Sequence, residues 1–85
     1  MNAAEMTRLV REASGEQDVE GLEILPVEVR YGEKVLHPQR AIRRGQRYLV
    51  EMVEFPGEWW MGEFKGDTLF VWGSYGSLEE AAGQH

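Results

Sequence analysis

Three alternating segments in the second half of the chain constrain the fold more than any other feature. Residues 48–55, 59–64 and 69–72 are rich in β-branched and aromatic side chains. Pro56-Gly57 separates the first two segments, and Lys65-Gly66-Asp67 separates the last two. Alternation with a period of two predicts β-strands, and such short connections join antiparallel neighbours. The sequence therefore predicts a β-meander.

Both ends of the chain carry the pattern of short helices. Apolar residues recur at helical spacing over residues 3–13, with charged residues on the opposite side, which is typical of an amphipathic helix. Ser77 and the acids that follow it predict a capped helix over residues 77–83, because a serine oxygen accepts a backbone N–H there and carboxylates suit the helix dipole. The acidic residues 14–21 are expected to form a flexible linker.

The region between that linker and the meander carries weaker strand signals. Residues 22–31 contain β-branched side chains and some alternation, although Pro26 predicts a bend or a strand edge. Residues 34–46 are irregular, and we expect a long loop with at most a short strand around Val35 and Leu36.

The length of 85 residues and the absence of cysteine limit what the core can contain. A chain of this size has one hydrophobic core and little room for a buried catalytic cavity. Without cysteine there are no disulfides or thiolate metal sites, which favours a reducing compartment. No apolar segment approaches the length of a membrane span, and the N-terminus lacks a signal-peptide pattern. We expect one soluble, cytoplasmic, mainly β domain over residues 1–85, with a barrel or antiparallel meander at residues 22–76 and a short helix at each end.

Charge is distributed unevenly along the chain. The net charge of −6 at pH 7 disfavours general binding to nucleic acids or anionic membranes. Residues 30–47 nevertheless contain six bases and one acid, and acidic stretches flank them on both sides. Pairing of these bases with neighbouring carboxylates on a solvated surface is favoured over a dedicated anion site. The candidate contacts to an anion or an acidic partner are Arg40, Arg43, Arg44 and Arg47.

The second half of the chain resembles SH3 domains in the spacing of its motifs. Members of this family often carry a glycine ahead of the second strand, a tryptophan pair followed by a variable residue and Gly-Glu, a glycine in the distal hairpin and a tyrosine near the end. Here Gly45, Trp59-Trp60-Met61-Gly62-Glu63, Gly66 and Tyr75 fit this pattern without a gap. The resemblance covers roughly residues 30–76 and implies a small SH3-like β-barrel.

The resemblance leaves the peptide groove of the family incomplete. The opening Ala-Leu-Tyr-Asp-Tyr motif is absent apart from a remnant at Val29-Arg30-Tyr31, and Trp72 stands where the family has a proline. Of the aromatic side chains that accept polyproline helices, Trp59, Tyr75 and Tyr31 remain. The loop that is usually acidic in the family carries arginines here. The resemblance therefore implies an acidic ligand instead of a proline-rich peptide.

Trp59 and Trp60 are adjacent on a predicted strand, so their side chains point to opposite faces of the sheet. If Gly62 faces the interior, where a small residue permits close packing, Trp60 shares that face and Trp59 lies on the other. Three arrangements remain open for Trp59. In the first, Trp59 belongs to an exposed binding surface. In the second, the N-terminal helix covers it, and in the third, a second copy of the chain covers it together with Met61 and Trp72.

The sequence contains no arrangement of nucleophile, base and orienting group that is typical of an active site. His37 is a lone loop histidine, and no second histidine or cysteine lies at metal-ligand spacing. The strand glutamates, Glu51 among them, are expected to form a solvated face. We therefore expect neither an enzyme nor a protein with a cofactor or metal.

Two functions remain open. The preferred one is a small accessory, inhibitor or immunity-type protein that binds a protein partner through an aromatic surface. The residues predicted for that surface are Trp59, Tyr75, Trp72, Tyr31 and Met61. The alternative is a small-barrel nucleic-acid-binding protein that uses the basic loop at residues 40–47 against phosphates. A homodimer is a further alternative, and no membrane is expected among the partners.

Overall fold

The computed structural model describes residues 2–22 and 27–84 of the chain. In this part the chain forms two helices and seven strands, and the predicted mainly β fold with a short helix at each end is confirmed. The elements are α1 (Ala3–Ser14), β1 (Val19–Leu22), β2 (Val29–Tyr31), β3 (Lys34–Leu36), β4 (Pro38–Arg44), β5 (Arg47–Met52), β6 (Phe55–Lys65), β7 (Thr68–Tyr75) and α2 (Leu78–Ala82).

Local capping defines the ends of both helices. The side chain of Asn2 accepts a hydrogen bond from the backbone N–H of Glu5 at 2.8 Å, and Gly15 ends α1 with a φ of 73°. Ser77 Oγ accepts from the backbone N–H of Glu80 at 3.1 Å, so the predicted serine cap of α2 is confirmed. Each cap satisfies an N–H group that has no partner within its helix.

All seven strands belong to one sheet, in the order β1-β4-β5-β6-β7-β2-β3. Strands β4 to β7 are antiparallel neighbours and contain the predicted meander. Strand β2 pairs parallel to β7 and forms a hairpin with β3. No local pattern predicts the parallel pair, because it joins segments that lie far apart in the sequence.

The sheet curls until its two sides come together. β3 lies at one edge and β4 lies next to the other edge, yet only His37 separates them along the chain. In a flat sheet five strand spacings would place them about 24 Å apart, whereas two residues span at most about 7 Å. The sheet must therefore wrap around one of its faces. The specific relation to SH3 domains stays a prediction.

Each face of the curled sheet carries its own hydrophobic cluster. The inner cluster, around which the sheet wraps, contains Val29, Leu36, Ala41, Val50, Met52, Trp60, Leu69 and Val71. The outer cluster joins the sheet to both helices and contains Met6, Val10, Val19, Ile42, Leu49, Trp59, Met61, Leu78, Ala81 and Ala82. Successive strand residues alternate between the two faces, which places the two adjacent tryptophans in different clusters.

Gly62 lies where β6 and β7 approach each other closely. A Cβ atom at this position would collide with the backbone carbonyl oxygen of Phe70 and crowd the side chain of Val71. The need for a small residue here, expected from the sequence, is confirmed.

Part of the predicted linker is a strand. Val19–Leu22 form β1, which pairs antiparallel with β4, and the side chain of Val19 is buried in the outer cluster. The prediction of a flexible linker over residues 14–21 is wrong for this part. Strand β1 packs against β4 and α1, and the acidic sequence of residues 14–21 gives no sign of either contact.

The prediction of a long loop over residues 34–46 is also wrong. This segment contains β3, at the place where a short strand was expected, and the seven-residue strand β4. The strand predicted over residues 22–31 corresponds to β2 at its end, and its first residue is the last residue of β1. Residues 23–26, which include Pro26, lie outside the described residues.

The turn predicted at Pro56-Gly57 lies earlier in the chain. Strand β5 ends at Met52, the turn consists of residues 53 and 54, and β6 begins at Phe55. The register between β5 and β6 shifts next to Glu51, and the backbone N–H of Gly57 donates to Glu51 Oε2 at 3.0 Å. A side chain thus anchors the irregular start of β6.

Candidate interaction surface

The two helices cover the outer face of β6 around Trp59. The side chain of Trp59 is 4% exposed and that of Met61 is 1% exposed, in a cluster with Met6 and Val10 of α1 and with Leu78 of α2. The prediction that Trp59 and Met61 belong to a partner-binding surface is therefore wrong. The N-terminal helix needs a place to bury its apolar stripe, and it covers Trp59 together with α2.

The helices leave another part of the outer face uncovered. Val35, Phe70 and Trp72 are 39%, 40% and 49% exposed. The register places Arg30 of β2 between Val35 of β3 and Phe70 of β7, so these three residues form one row across the strands. Trp72 is the extra residue where the register of β6 and β7 shifts, and its ring lies beside Arg47, which shares the face of Leu49 in the outer cluster. We call Val35, Phe70 and Trp72 the outer apolar surface.

Two cations lie over the aromatic rings of this surface. The Nζ atom of Lys65 is 5.7 Å from the centroid of the Phe70 ring, and the guanidinium carbon of Arg47 is 5.7 Å from the centroid of the Trp72 ring. A cation at this distance is attracted by the negative face of an aromatic ring. The two contacts hold positive charge beside the exposed rings.

The bases around the outer apolar surface are Arg30, Arg47 and Lys65. Among the ion pairs of the described residues, none involves these three side chains. The acid in the same cross-strand row is Glu63, which lies opposite Phe70 on β6. The uncovered part of the outer face therefore combines exposed apolar groups with three bases, against Glu63 in the same row and the exposed Glu28 two residues before Arg30.

Arg43 and Arg44, two of the predicted anion contacts, bind groups of this chain. Arg43 Nη2 lies 3.0 Å from Asp18 Oδ1, and this pair lowers the pKa of Asp18 and raises that of Arg43. Arg44 is buried, and its Nη1 donates to the carbonyl oxygen of Ala82 at the end of α2. Burial lowers the pKa of Arg44. Of the four predicted contacts, Arg47 is the one that borders the outer apolar surface.

Arg40, the remaining predicted contact, binds the buried carboxylate of Glu51. Glu51 Oε1 accepts from Arg40 Nε at 2.8 Å and from Gln39 Nε2 at 2.9 Å, and Oε2 accepts from Gly57. The hydrogen bond from Arg40 lowers the pKa of Glu51 despite the opposing effect of burial. The expectation of a solvated face is wrong for Glu51, which is 4% exposed. Arg40 also lies over the Trp59 ring.

The two predicted tyrosines occupy environments that differ from that of Trp72. Tyr31 is exposed at the end of β2, and its ring meets the Trp60 ring edge-on with the centroids 5.0 Å apart. Tyr75 is half-buried against the outer cluster, opposite Trp59. Trp59, Met61 and Tyr75 thus meet in or against the outer cluster, and the five residues predicted for one binding surface do not form one exposed surface.

Sequence reasoning missed Phe70, although a signal for it was present. Leu69-Phe70-Val71-Trp72 is apolar at four successive positions and so places apolar side chains on both faces of β7. Arg30 gives no such signal, because the parallel pairing with β7 brings it beside Phe70. Lys65 reaches the same ring through the tight hairpin between β6 and β7.

Over residues 2–22 and 27–84 there is no group of three or more histidine, aspartate or glutamate side chains that could hold a metal ion. The helices in this part of the chain are too short to cross a membrane. Comparisons with protein-family models, curated proteins and solved structures found no match to this chain.

Proposed function

We propose that this protein is a small interaction module of the accessory, inhibitor or immunity type, and that a protein partner binds its outer apolar surface. The observation that carries the proposal is the exposure of Val35, Phe70 and Trp72 on a sheet face that the helices cover elsewhere. Exposed apolar patches with a polar rim mark interaction sites. Tryptophan and arginine are also the side chains that most often dominate the free energy of binding.

The proposal retains the cytoplasmic location and the absence of catalysis and cofactors that the sequence favours. The outer apolar surface is an open sheet face, whereas the buried acid Glu51 is fully occupied by donors of this chain. Binding is therefore the better supported role for the exposed groups. Nucleic-acid binding through residues 40–47 has less support, because Arg40, Arg43 and Arg44 contact this chain's own acceptors.

The test is capture of a partner by immobilised protein from a native extract, followed by binding measurements with the purified partner. We expect Trp72→Ala to weaken that binding by roughly 30-fold, since removing a central interface tryptophan costs about 2 kcal/mol or more. Trp72 is half exposed, so the variant should keep its fold, which the circular dichroism spectrum checks.

Val53→Ala is the matched control. Val53 is 56% exposed in the turn between β5 and β6, at the end of β6 that lies far from Lys65. This variant should bind the partner as tightly as the wild type does. If Trp72→Ala bound every captured partner with wild-type affinity, the outer apolar surface would not be the binding site.

A further inference from the structure

We infer that the partner segment on the outer apolar surface is acidic, with carboxylates that meet Arg30, Arg47 and Lys65 around its apolar contacts. This inference rests on the proposed function and names the chemistry of the partner. The acidic character of the partner follows from the positions of the bases in this chain.

The chain contains nine lysines and arginines against fifteen acids. Arg40 and Arg43 form ion pairs, and Arg11 and Arg44 donate to backbone carbonyl oxygens. Five bases have no such contact with a described residue, and three of them surround the outer apolar surface. The five are Arg8, Arg30, Lys34, Arg47 and Lys65. The bases that the fold does not use are therefore concentrated around the exposed apolar side chains.

The helix side of the molecule has the opposite sign. α1 carries two exposed acids and two exposed bases, whereas α2 carries Glu79 and Glu80 and no base, so the two helices together have two more acids than bases. A segment with several carboxylates is repelled by this side and attracted by the uncovered part of the sheet. Charge arranged in this way fixes the orientation of a partner and raises its association rate.

The contacts over the rings prepare the surface for carboxylates. Arg47 lies over Trp72 and Lys65 lies over Phe70, so part of the ordering of these long side chains precedes binding. A guanidinium over an aromatic ring still has N–H donors that can bind a carboxylate. The ring beside it contributes apolar contact to the same segment.

An acidic protein segment is favoured over a nucleic acid on this surface. Stacking on Trp72 and contact with Arg47 would suit either ligand. A nucleic acid carries a phosphate charge at every nucleotide, and the net charge of −6 repels it over long range. A short acidic segment carries fewer charges and can place them all near the three bases.

The experiment uses the full chain, labelled with nitrogen-15, and two short capped peptides. One alternates glutamate with leucine, and the other has lysine in place of glutamate. At low salt we expect the glutamate peptide to shift the signals of the Trp72 indole and the Phe70 amide, and to leave the buried Trp59 indole unchanged. We expect the affinity of the lysine peptide to be lower by about tenfold or more, since it meets like charges.

Matched charge variants locate the effect. Arg47→Gln should weaken binding of the glutamate peptide several-fold and reduce its dependence on salt. Arg8→Gln removes the same charge from the exposed side of α1 and should leave the affinity unchanged. Equal binding of the two peptides would overturn the inference, and so would equal effects of the two variants.

Other outcomes separate the inference from the proposed function. If capture of the cellular partner depends on Trp72 but not on Arg47 or salt, the acidic partner is excluded and the proposed function stands. If capture does not depend on Trp72, the proposed function fails whatever the peptides show. Tighter binding of a single-stranded oligonucleotide at Trp72 would overturn the inference. Concentration-dependent shifts of the same signals without any ligand would also overturn it, in favour of a second copy of this chain.

Discussion

A carboxylate that is buried on a strand destabilises the fold unless donors surround it. Glu51 has three such donors, which come from Gln39 and Arg40 on β4 and from Gly57 at the start of β6. Gly57 lies where the register of β5 and β6 shifts, outside the regular pairing of the two strands. The Glu51 side chain therefore takes the place of a backbone acceptor there and joins three strands.

Glu51→Gln tests this role. Glutamine has nearly the same shape but only one acceptor oxygen and no charge, so it cannot accept from both Arg40 and Gly57, and the guanidinium loses its counter-charge. We expect the free energy of unfolding at pH 7 to fall by about 1–3 kcal/mol, the range for leaving a buried donor or acceptor without its partner. Urea denaturation measures it. Glu58→Gln, at an exposed position of the same region, should change the value by less than about 0.5 kcal/mol.

The pH dependence of this difference has a defined sign. The pKa of Glu51 is lowered by folding, so its ionised form contributes stability above the ordinary value of 4.5. That contribution is lost as the pH falls through the lower pKa of the folded state. The gap between wild type and Glu51→Gln should therefore be constant near neutral pH and narrow below about pH 4.5. A gap that is independent of pH would contradict the role of the charge.

At the scale of an element, α1 is attached to the sheet by one apolar stripe and one polar contact. Met6 and Val10 reach the outer cluster, and Arg11 Nη2 donates to the carbonyl oxygen of Val19 on the edge strand β1 at 3.3 Å. A short amphipathic helix has little stability of its own. Its order therefore depends on burial against Trp59 and its neighbours.

Val10→Ser tests whether α1 can leave the sheet while the sheet stays folded. Val10 is fully buried, and the substitution removes apolar contact and places a hydroxyl group in the outer cluster. We expect a loss of about 2 kcal/mol in the stability of the attached helix. Hydrogen exchange of the tryptophan indoles gives the readout. Exchange at Trp59 should accelerate about 30-fold, whereas exchange at Trp60 in the inner cluster should change less.

Ala13→Ser is the control for that variant, because Ala13 lies on the same helix and is exposed. It should leave both exchange rates close to those of the wild type. If Val10→Ser accelerated the exchange of Trp59 and Trp60 by the same factor, the helix and the sheet would unfold as one cooperative unit. A separately opening α1 would then be excluded.

Elements that depend on local signals were predictable from the sequence. The serine cap of α2 and the hairpin between β6 and β7 involve residues within a few positions of each other. Strand β4 was not predictable, because Arg43 and Arg44 form contacts with Asp18 and Ala82, which lie 25 and 38 residues away in the sequence. The same holds for the candidate site. Trp72 was predictable from the local strand pattern, whereas Arg30 lies beside this site only because β2 pairs in parallel with β7.

At the scale of the whole molecule, the curled sheet has contacts at His37, the single residue between β3 and β4, that hold the strands on either side of its corner. The backbone N–H of His37 donates to Glu54 Oε1 at 2.9 Å, and its Nδ1 lies 2.6 Å from Glu54 Oε2. The carbonyl oxygen of His37 accepts from the backbone N–H of Val53 at 2.8 Å. The corner between β3 and β4 is thus bound to the turn between β5 and β6.

The charge of this pair depends on pH. The hydrogen bond to Glu54 raises the pKa of His37 above its ordinary 6.5, and the same bond lowers the pKa of Glu54 below 4.5. The contribution of His37 is complete below pH 6.5 and is lost as the pH rises through its raised pKa. The contribution of Glu54 is complete above pH 4.5 and is lost as the pH falls through its lowered pKa. Both contribute fully between these two ordinary values.

Glu54→Gln tests the coupling, because glutamine can still accept the backbone N–H of His37 but carries no charge. Titration of the His37 imidazole by nuclear magnetic resonance should give a midpoint above 6.5 in the wild type and a midpoint closer to 6.5 in the variant. Glu33→Gln, in the exposed turn between β2 and β3, should leave the midpoint unchanged. The difference in unfolding free energy between wild type and Glu54→Gln should be largest between pH 4.5 and 6.5. If the midpoint in Glu54→Gln were the same as in the wild type, closure of the sheet would not involve the charge of this pair.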